Sequence, residues 1–242
     1  MAINISRKSN YTPHCPEEEF IVPLVGEHIK NNIYQLLKNN TGCRVLDIGC
    51  GNKPFKSIFE SLKCEYFSFD VSDNGTIDFI GEIDKELDSR LIETGPFDFI
   101  LCTEVLEHVA DWNITFENFS KLLAKDGHLL ITAPHFYGLH EVPYDFWRPT
   151  RYAFEYYAKK VELKVIKNES TGTFWDILGT LLANTPSFII KESKINFRNK
   201  IICKLLNFGS KQLFRLLKSR YFHTNIKATC YIYQSNIVVL QK

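Results

Sequence analysis

The sharpest chemical signal is Val45-Leu46-Asp47-Ile48-Gly49-Cys50-Gly51-Asn52-Lys53-Pro54, an apolar run that ends in an acid and two closely spaced glycines. Glycines at the carboxyl end of a strand let the main chain approach a ligand that a Cβ would hold away. A dinucleotide fingerprint would place a third glycine where Pro54 stands, so pyrophosphate binding is disfavoured. A second acid, Asp70, ends Phe67-Ser68-Phe69-Asp70-Val71, one strand–helix–strand crossover after Asp47. A carboxylate there suits a vicinal diol, because its two oxygens can accept two hydrogen bonds.

Titratable and aromatic groups crowd Ala133 to Thr150, where His135, His140, Tyr144, Asp145, Trp147 and Arg148 follow one another. His135 or His140, with side chains that titrate near neutrality, suits proton removal from a hydroxyl. Tyr144 or Asp145 would assist or bind a polar acceptor; equally, these residues could pin a loop. No metal is expected, because the histidines lack ligand spacing and the seven cysteines contain no C-x-x-C pair. The scattered thiols read as reduced and mostly buried.

The elements that must position these groups follow from periodicity. Residues 1 to 19 are polar, and Phe20 to Leu37 repeat apolar side chains at helical spacing, a lead-in helix. Arg44 to Ile48 reads as a strand, followed after the glycine turn by a helix through Lys56, Ile58 and Leu62. Glu65 to Val71 and Thr76 to Ile80 are the next strands. Phe97 to Cys102 is almost wholly apolar, as a central parallel strand would be. A helix carrying Ile114, Phe116, Phe119 and Leu122 is expected to stop at Asp126-Gly127, before a strand over His128 to Ala133. Thr150 to Lys159 reads as a helix, Val161 to Asn168 as a strand and Ile226 to Leu240 as a terminal hairpin strand. Alternating strands and helices predict a doubly wound sheet.

The first glycine turn resembles motif one of the class I S-adenosylmethionine-dependent methyltransferases. The resemblance covers about residues 40 to 170. It implies an α/β fold, Rossmann-like and doubly wound, with a mostly parallel seven-stranded sheet and a helical insertion near the C-terminus. It also implies S-adenosyl-L-methionine as cofactor, with Asp47, Gly49, Cys50 and Gly51 around its aminoacyl part and Asp70 with Val71 at the ribose. Phe79-Ile80-Gly81-Glu82-Ile83 is similar to the family's adenine segment, with Glu82 where Asp is commoner. Phe97 to Val109, ending Leu106-Glu107-His108-Val109, resembles the strand-four motif. Cys102 and Thr103 would then line the methionine part, with Glu107 and His108 at a helix start or beside the cofactor. The stretch from His140 to Thr150 resembles a pattern found in methyltransferases of bacterial surface-polysaccharide and glycolipid biosynthesis, although Pro149 replaces the usual aromatic. A sugar or glycolipid acceptor methylated on oxygen is therefore implied. A quinone-like or other small acceptor, or a cofactor-binding module without catalysis, are the alternatives.

Composition sets the outer bounds. With 45% hydrophobic and 24% charged residues, the chain has a globular balance. Charge is uneven: Lys191 to Lys242 holds eleven of the 29 basic residues and one of the 28 acidic ones. Four segments are expected: 1–40 as lead-in, 41–173 as the cofactor-binding domain, 174–222 as a basic amphipathic helical insertion and 223–242 as the strand completing the sheet. In the insertion Ile201, Ile202, Leu205, Leu206, Leu213, Leu216 and Leu217 interleave with Lys200, Lys204, Lys211, Arg215 and Lys218. Such a face could lie on an anionic membrane and meet a lipid-linked glycan, or pack internally or as a homodimer seam. No nucleic-acid module stands out. Without an apolar leader or spanning segment in the sequence, the expected setting is the cytoplasm, with the inner face of the membrane as its alternative.

Overall fold

A parallel sheet covered by helices on both faces needs strands that are apolar on both sides, and four strands here are buried almost end to end. In the computed structural model, which describes residues 10–188, 197–226 and 231–242, seven strands are present: β1 (Arg44–Ile48), β2 (Glu65–Asp70), β3 (Phe79–Ile80), β4 (Phe97–Thr103), β5 (Leu123–Pro134), β6 (Lys164–Thr171) and β7 (Ser235–Gln241). Their order is β3-β2-β1-β4-β5-β7-β6. Strands β1 to β5 pair in parallel, whereas β7 lies antiparallel between β5 and β6. This is the expected Rossmann-like methyltransferase sheet. Residues 1–9 of the polar start, Lys191, Lys194 and Glu192 in the insertion, and Lys227 and Cys230 before β7 lie outside the described residues.

Side chains alternate between two cores. Val45, Phe99, Leu101, Leu130 and Val239 face α1 (Val22–Leu37), which contributes Val25, Ile29 and Ile33. Leu46, Ile100, Leu129, Ile131 and Val238 face the opposite core, with Trp112, Phe116 and Phe119 from α4 (Trp112–Leu122) and Phe154 from α5 (Arg151–Lys160). Between these lie the short α2 (Lys56–Ser61) and α3 (Ser89–Thr94). The second was not foreseen; Asp88 starts it by accepting the Arg90 amide at 2.8 Å.

Several boundaries differ from the sequence reading. The third strand has two residues rather than five, because Asp73 and Asn74 capture the Gly75 and Thr76 amides with their own side chains, at 2.7 and 3.0 Å. The fifth strand begins at Leu123, which pairs with Phe97, so α4 stops before the Asp126-Gly127 turn. The sixth begins at Lys164 because Val161 and Glu162 close α5, with Glu162 left-handed at φ 58. The last begins at Ser235, well after Ile226.

Between β6 and β7 run α6 (Phe174–Phe188), α7 (Phe197–Lys218) and α8 (Tyr221–Asn225). Buried Asp176 ties them together, accepting from Arg220 Nη1 and His223 Nε2 at 2.8 Å each. Phe214 meets Phe20 edge-on at 5.3 Å, docking α7 onto the start of the described chain. Among the described residues no helix is long and apolar enough to cross a membrane.

The core under α4 is expected to dominate stability. Phe116→Ala removes a fully buried ring and should cost about 3–5 kcal/mol. Asp111→Ala, which removes the α4 cap to the Asn113 and Ile114 amides, should cost about 1 kcal/mol. Urea unfolding of both variants checks the ranking.

Candidate active site

Parallel strands bring their carboxyl ends to one edge, and there β1 gives way to the glycine turn. Gly49 and Gly51 are left-handed, at φ 67 and 48, which favours glycine. A Cβ on Gly49 would stand 2.2 Å from Val105 Cγ2, so that position is closed to any side chain. On Gly51 a Cβ would meet nothing within 4 Å: its face is open, as a cradle for a ligand must be. The Gly49 amide donates to Phe69 O at 2.8 Å, fixing the turn to the end of β2.

The two acids of the motif occupy different environments. Asp47 is buried, accepts a 2.6 Å hydrogen bond from Tyr66 Oη, and burial pushes its carboxyl up to about 7 despite that bond. Asp70 is half-buried at the edge. Its Oδ2 accepts the Gly51 amide and its Oδ1 the Ser72 amide, both at 2.9 Å. Each oxygen keeps a further lone pair for another donor. Cys50 is buried, and burial raises its thiol to about 12. Val71 is exposed. Past β2 and β3 a cleft of 390 Å³ opens between Phe69, Ile80, Gly81, Glu82 and Leu87. Glu82 is exposed at its mouth and Ile83 is buried.

At the tip of β4, Cys102 is wholly buried in the core and Thr103 half-buried. Sequence reasoning passed over Glu104, which is left-handed at φ 54 and accepts from Thr132 Oγ1 at 2.8 Å. A non-glycine residue at positive φ marks a constrained strand end. The main-chain carbonyl of Glu107 accepts the amides of Phe146 and Trp147, at 2.8 and 3.2 Å. Trp147 Nε1 donates to Val109 O at 2.8 Å. The loop after β5 is thus laid directly over the Leu106-Glu107-His108-Val109 segment.

Within that loop the four acid–base residues separate into two kinds. Asp145 has a buried side chain gripped by Arg148 at 2.7 and 2.8 Å, and its Oδ2 accepts the His140 amide at 2.9 Å. Burial alone would raise its carboxyl, but the bonds from Arg148 and the His140 amide bring it below the ordinary value. Tyr144 is exposed, and its carbonyl meets His108 Nδ1 at 2.8 Å. His135 stacks on Tyr233 at 4.3 Å and bonds Pro149 O through Nδ1 at 3.1 Å. His140 lies edge-on to His108 at 4.7 Å; burial, then the neighbouring His108, lowers its imidazole below the usual value. Arg148 was noted only as part of a pattern; its contacts to Tyr137 O, Gly138 O and Asp145 make it the clamp of the loop.

A strand-edge glycine turn with an open face, a carboxylate beside it and a loop of proton-transfer groups across the edge agree with the comparison to known families, in which the model of a methyltransferase domain matches residues 25–161. The chain belongs to the methyltransferase-domain family. Its cofactor is S-adenosylmethionine, and the residues present fit that group through the open Gly51 face and the half-buried Asp70. No curated protein matches this methyltransferase in sequence. Solved structures share its fold. An S-adenosylmethionine-dependent methyltransferase from Archaeoglobus fulgidus superposes with TM-score 0.52 at 14% identity, covering 89% of this chain and 94% of its own. Coclaurine N-methyltransferase, bound to N-methylheliamine and S-adenosylhomocysteine, gives 0.53 at 14%, covering 88% and 72%. The [4+2]-cyclase SpnF gives 0.54 at 11%, covering 96% and 98%.

The methyltransferase should show an Asp47 signature in its pH profile. Its folded carboxyl holds a proton more tightly than the ordinary value of 3.8, so the stability it contributes is present at low pH and lost as pH rises toward about 7. Urea midpoints of wild type should therefore fall relative to Asp47→Asn across that window. Parallel pH curves for the two proteins would contradict this.

Proposed function

We propose that this methyltransferase transfers a methyl group from S-adenosylmethionine to a hydroxyl of a sugar or glycolipid intermediate of surface-polysaccharide biosynthesis. The observation that carries the reading is the loop from His135 to Arg148, clamped over the same edge that holds the glycine turn. When bound, the cofactor supplies a methyl on a sulfonium, already a good leaving group, so the protein's main task is alignment.

In this reading the 49–51 turn lets main chain meet the aminoacyl part, with Asp47, Cys50, Cys102, Thr103 and His108 around it. Asp70 accepts from the ribose hydroxyls, with Val71 beside it, and Glu82 with the Ile83 amide meets the adenine edge. The cleft beside Glu82 supports that last assignment. His135 or His140 takes the acceptor proton in this reading. Tyr144, exposed at the rim, is free to turn toward a sugar hydroxyl, and Asp145 keeps the loop in place through Arg148.

The test is one incubation of methyl-labelled cofactor and fractionated cell extract with wild type and with Asp70→Ala. Label should enter a sugar-nucleotide or lipid-linked glycan fraction with wild type. The variant should lose that transfer and bind the cofactor at least tenfold more weakly by calorimetry. Label in a quinone-like fraction would replace the acceptor, and unchanged affinity of the variant would overturn the ribose assignment.

Peripheral membrane contact is the second part of the proposal, and it is favoured by the exposure of Ile201, Ile202, Leu205, Leu206 and Phe208 on α7. Lys200, Lys204, Lys211, Arg215 and Lys218 follow one another at steps of three, four and seven, forming a basic stripe beside that apolar face. Anionic phosphatidylglycerol vesicles should sediment the protein, neutral phosphatidylcholine vesicles should not, and Leu205→Asp with Phe208→Asp should abolish the difference. A concentration-dependent dimer that ignores both vesicles would assign the face to self-association instead.

A further inference from the structure

Two histidines and a glutamate converge beneath the loop that follows β5. His108 Nε2 and His140 Nε2 lie 3.9 and 4.0 Å from the same oxygen, Oε1 of Glu107. The three ligand atoms all fall within 4.8 Å of one another. We propose that Glu107, His108 and His140 form a binding site for a divalent transition-metal cation, zinc or ferrous iron by ligand type, with Glu141 at its rim.

The ring orientations carry the argument as much as the distances. Nδ1 of His108 meets Tyr144 O at 2.8 Å and Nδ1 of His140 meets Gly138 O at 3.2 Å. A carbonyl only accepts, so the neutral His108 ring holds its hydrogen on Nδ1 and leaves the Nε2 lone pair for a cation, whereas Nδ1 of His140 meets both Gly138 O and the donor Arg148 Nη2. Metal-ligating histidines are oriented in this way, the second nitrogen donating to a main-chain carbonyl. The carboxylate that both Nε2 atoms approach has a side chain that is 0% exposed. Two elements hold the set together: the turn after β4 supplies Glu107 and His108, the loop after β5 supplies His140, and the Phe146 and Trp147 amides bonded to Glu107 O join them. Arg148, whose Nη2 is 3.4 Å from His140 Nδ1, has its charge matched by Asp145.

Bonds of about 2.0–2.2 Å to nitrogen and oxygen place tetrahedral ligands roughly 3.4 Å apart, so Glu107 would close on each histidine by about half an ångström around an ion. Glu141 Oε2, 3.9 Å from His108 Nε2, stands where a fourth ligand could arrive or be displaced. Three protein ligands and an exchangeable fourth position are the pattern of a catalytic rather than a structural ion. On the proposed function, and resting on it, the ion would take the acceptor oxygen at that position and make its proton easier to lose. His140 would then act as ligand, leaving His135 as the base. The metal site itself does not depend on the identity of the acceptor.

The test uses the full chain, stripped with chelator and dialysed against zinc alone, then against cobalt(II) as a spectroscopic probe. One zinc per chain is expected, and cobalt should give visible d–d bands without the charge-transfer band of a thiolate ligand. His140→Ala and His108→Ala should each weaken zinc binding at least tenfold, whereas His28→Ala on α1 should bind as wild type. Cofactor affinity measured on His140→Ala reports that this variant is folded. Absence of stoichiometric zinc, equal binding by the variants, or a thiolate band would each overturn the site. A bound ion together with methyl transfer to a non-glycan acceptor would keep the site and discard the acceptor class.

Discussion

The carbonyl of Glu107 is the joint on which the active edge depends. Two successive amides, of Phe146 and Trp147, donate to it, and Trp147 adds an indole bond one turn further on, to Val109 O. These bonds, with that of His108 Nδ1 to Tyr144 O, hold the long segment after β5 over the end of β4, because a loop ordered in one place loses conformational entropy that contacts must offset. With them, a segment made in one part of the chain is registered against a turn made in another. Arg148 and Asp145 then hold the interior of the loop in shape.

The same edge shows how environment separates residues of one type. Asp47 and Asp70 belong to neighbouring strands, yet one is enclosed beside a tyrosine and resists ionisation, while the other sits among main-chain amides at the surface of the turn. A buried carboxylate with few donors is driven toward its neutral form, and one that accepts amides remains ready to accept more. Two identical side chains thereby acquire different ionisation behaviour from their surroundings.

What the sequence disclosed was whatever is local along the chain. Short apolar runs located the central strands, and the glycine pair at 49 and 51 marked the turn that the fold places at the strand edge. Boundaries failed where side chains compete with the main chain, as at Asp73 and Asn74, or where one left-handed residue such as Glu162 delays the start of a strand. The approach of His140 to Glu107 and His108 was invisible because no spacing in the chain encodes a loop folding back on a turn. Glu104 reaching Thr132 and Arg220 reaching Asp176 were hidden for the same reason.

The position of β7 bears on how the polypeptide acquires this shape. It is the last strand along the chain, but it fills the space between β5 and β6, hydrogen-bonded to both. Until residues 235–241 pair, β6 has no strand beside it and β5 presents an edge of unpaired main-chain amides and carbonyls. Unpaired margins of that kind invite association with other chains. A folding chain therefore passes through an interval of stickiness that lasts until β7 slides home between its two neighbours.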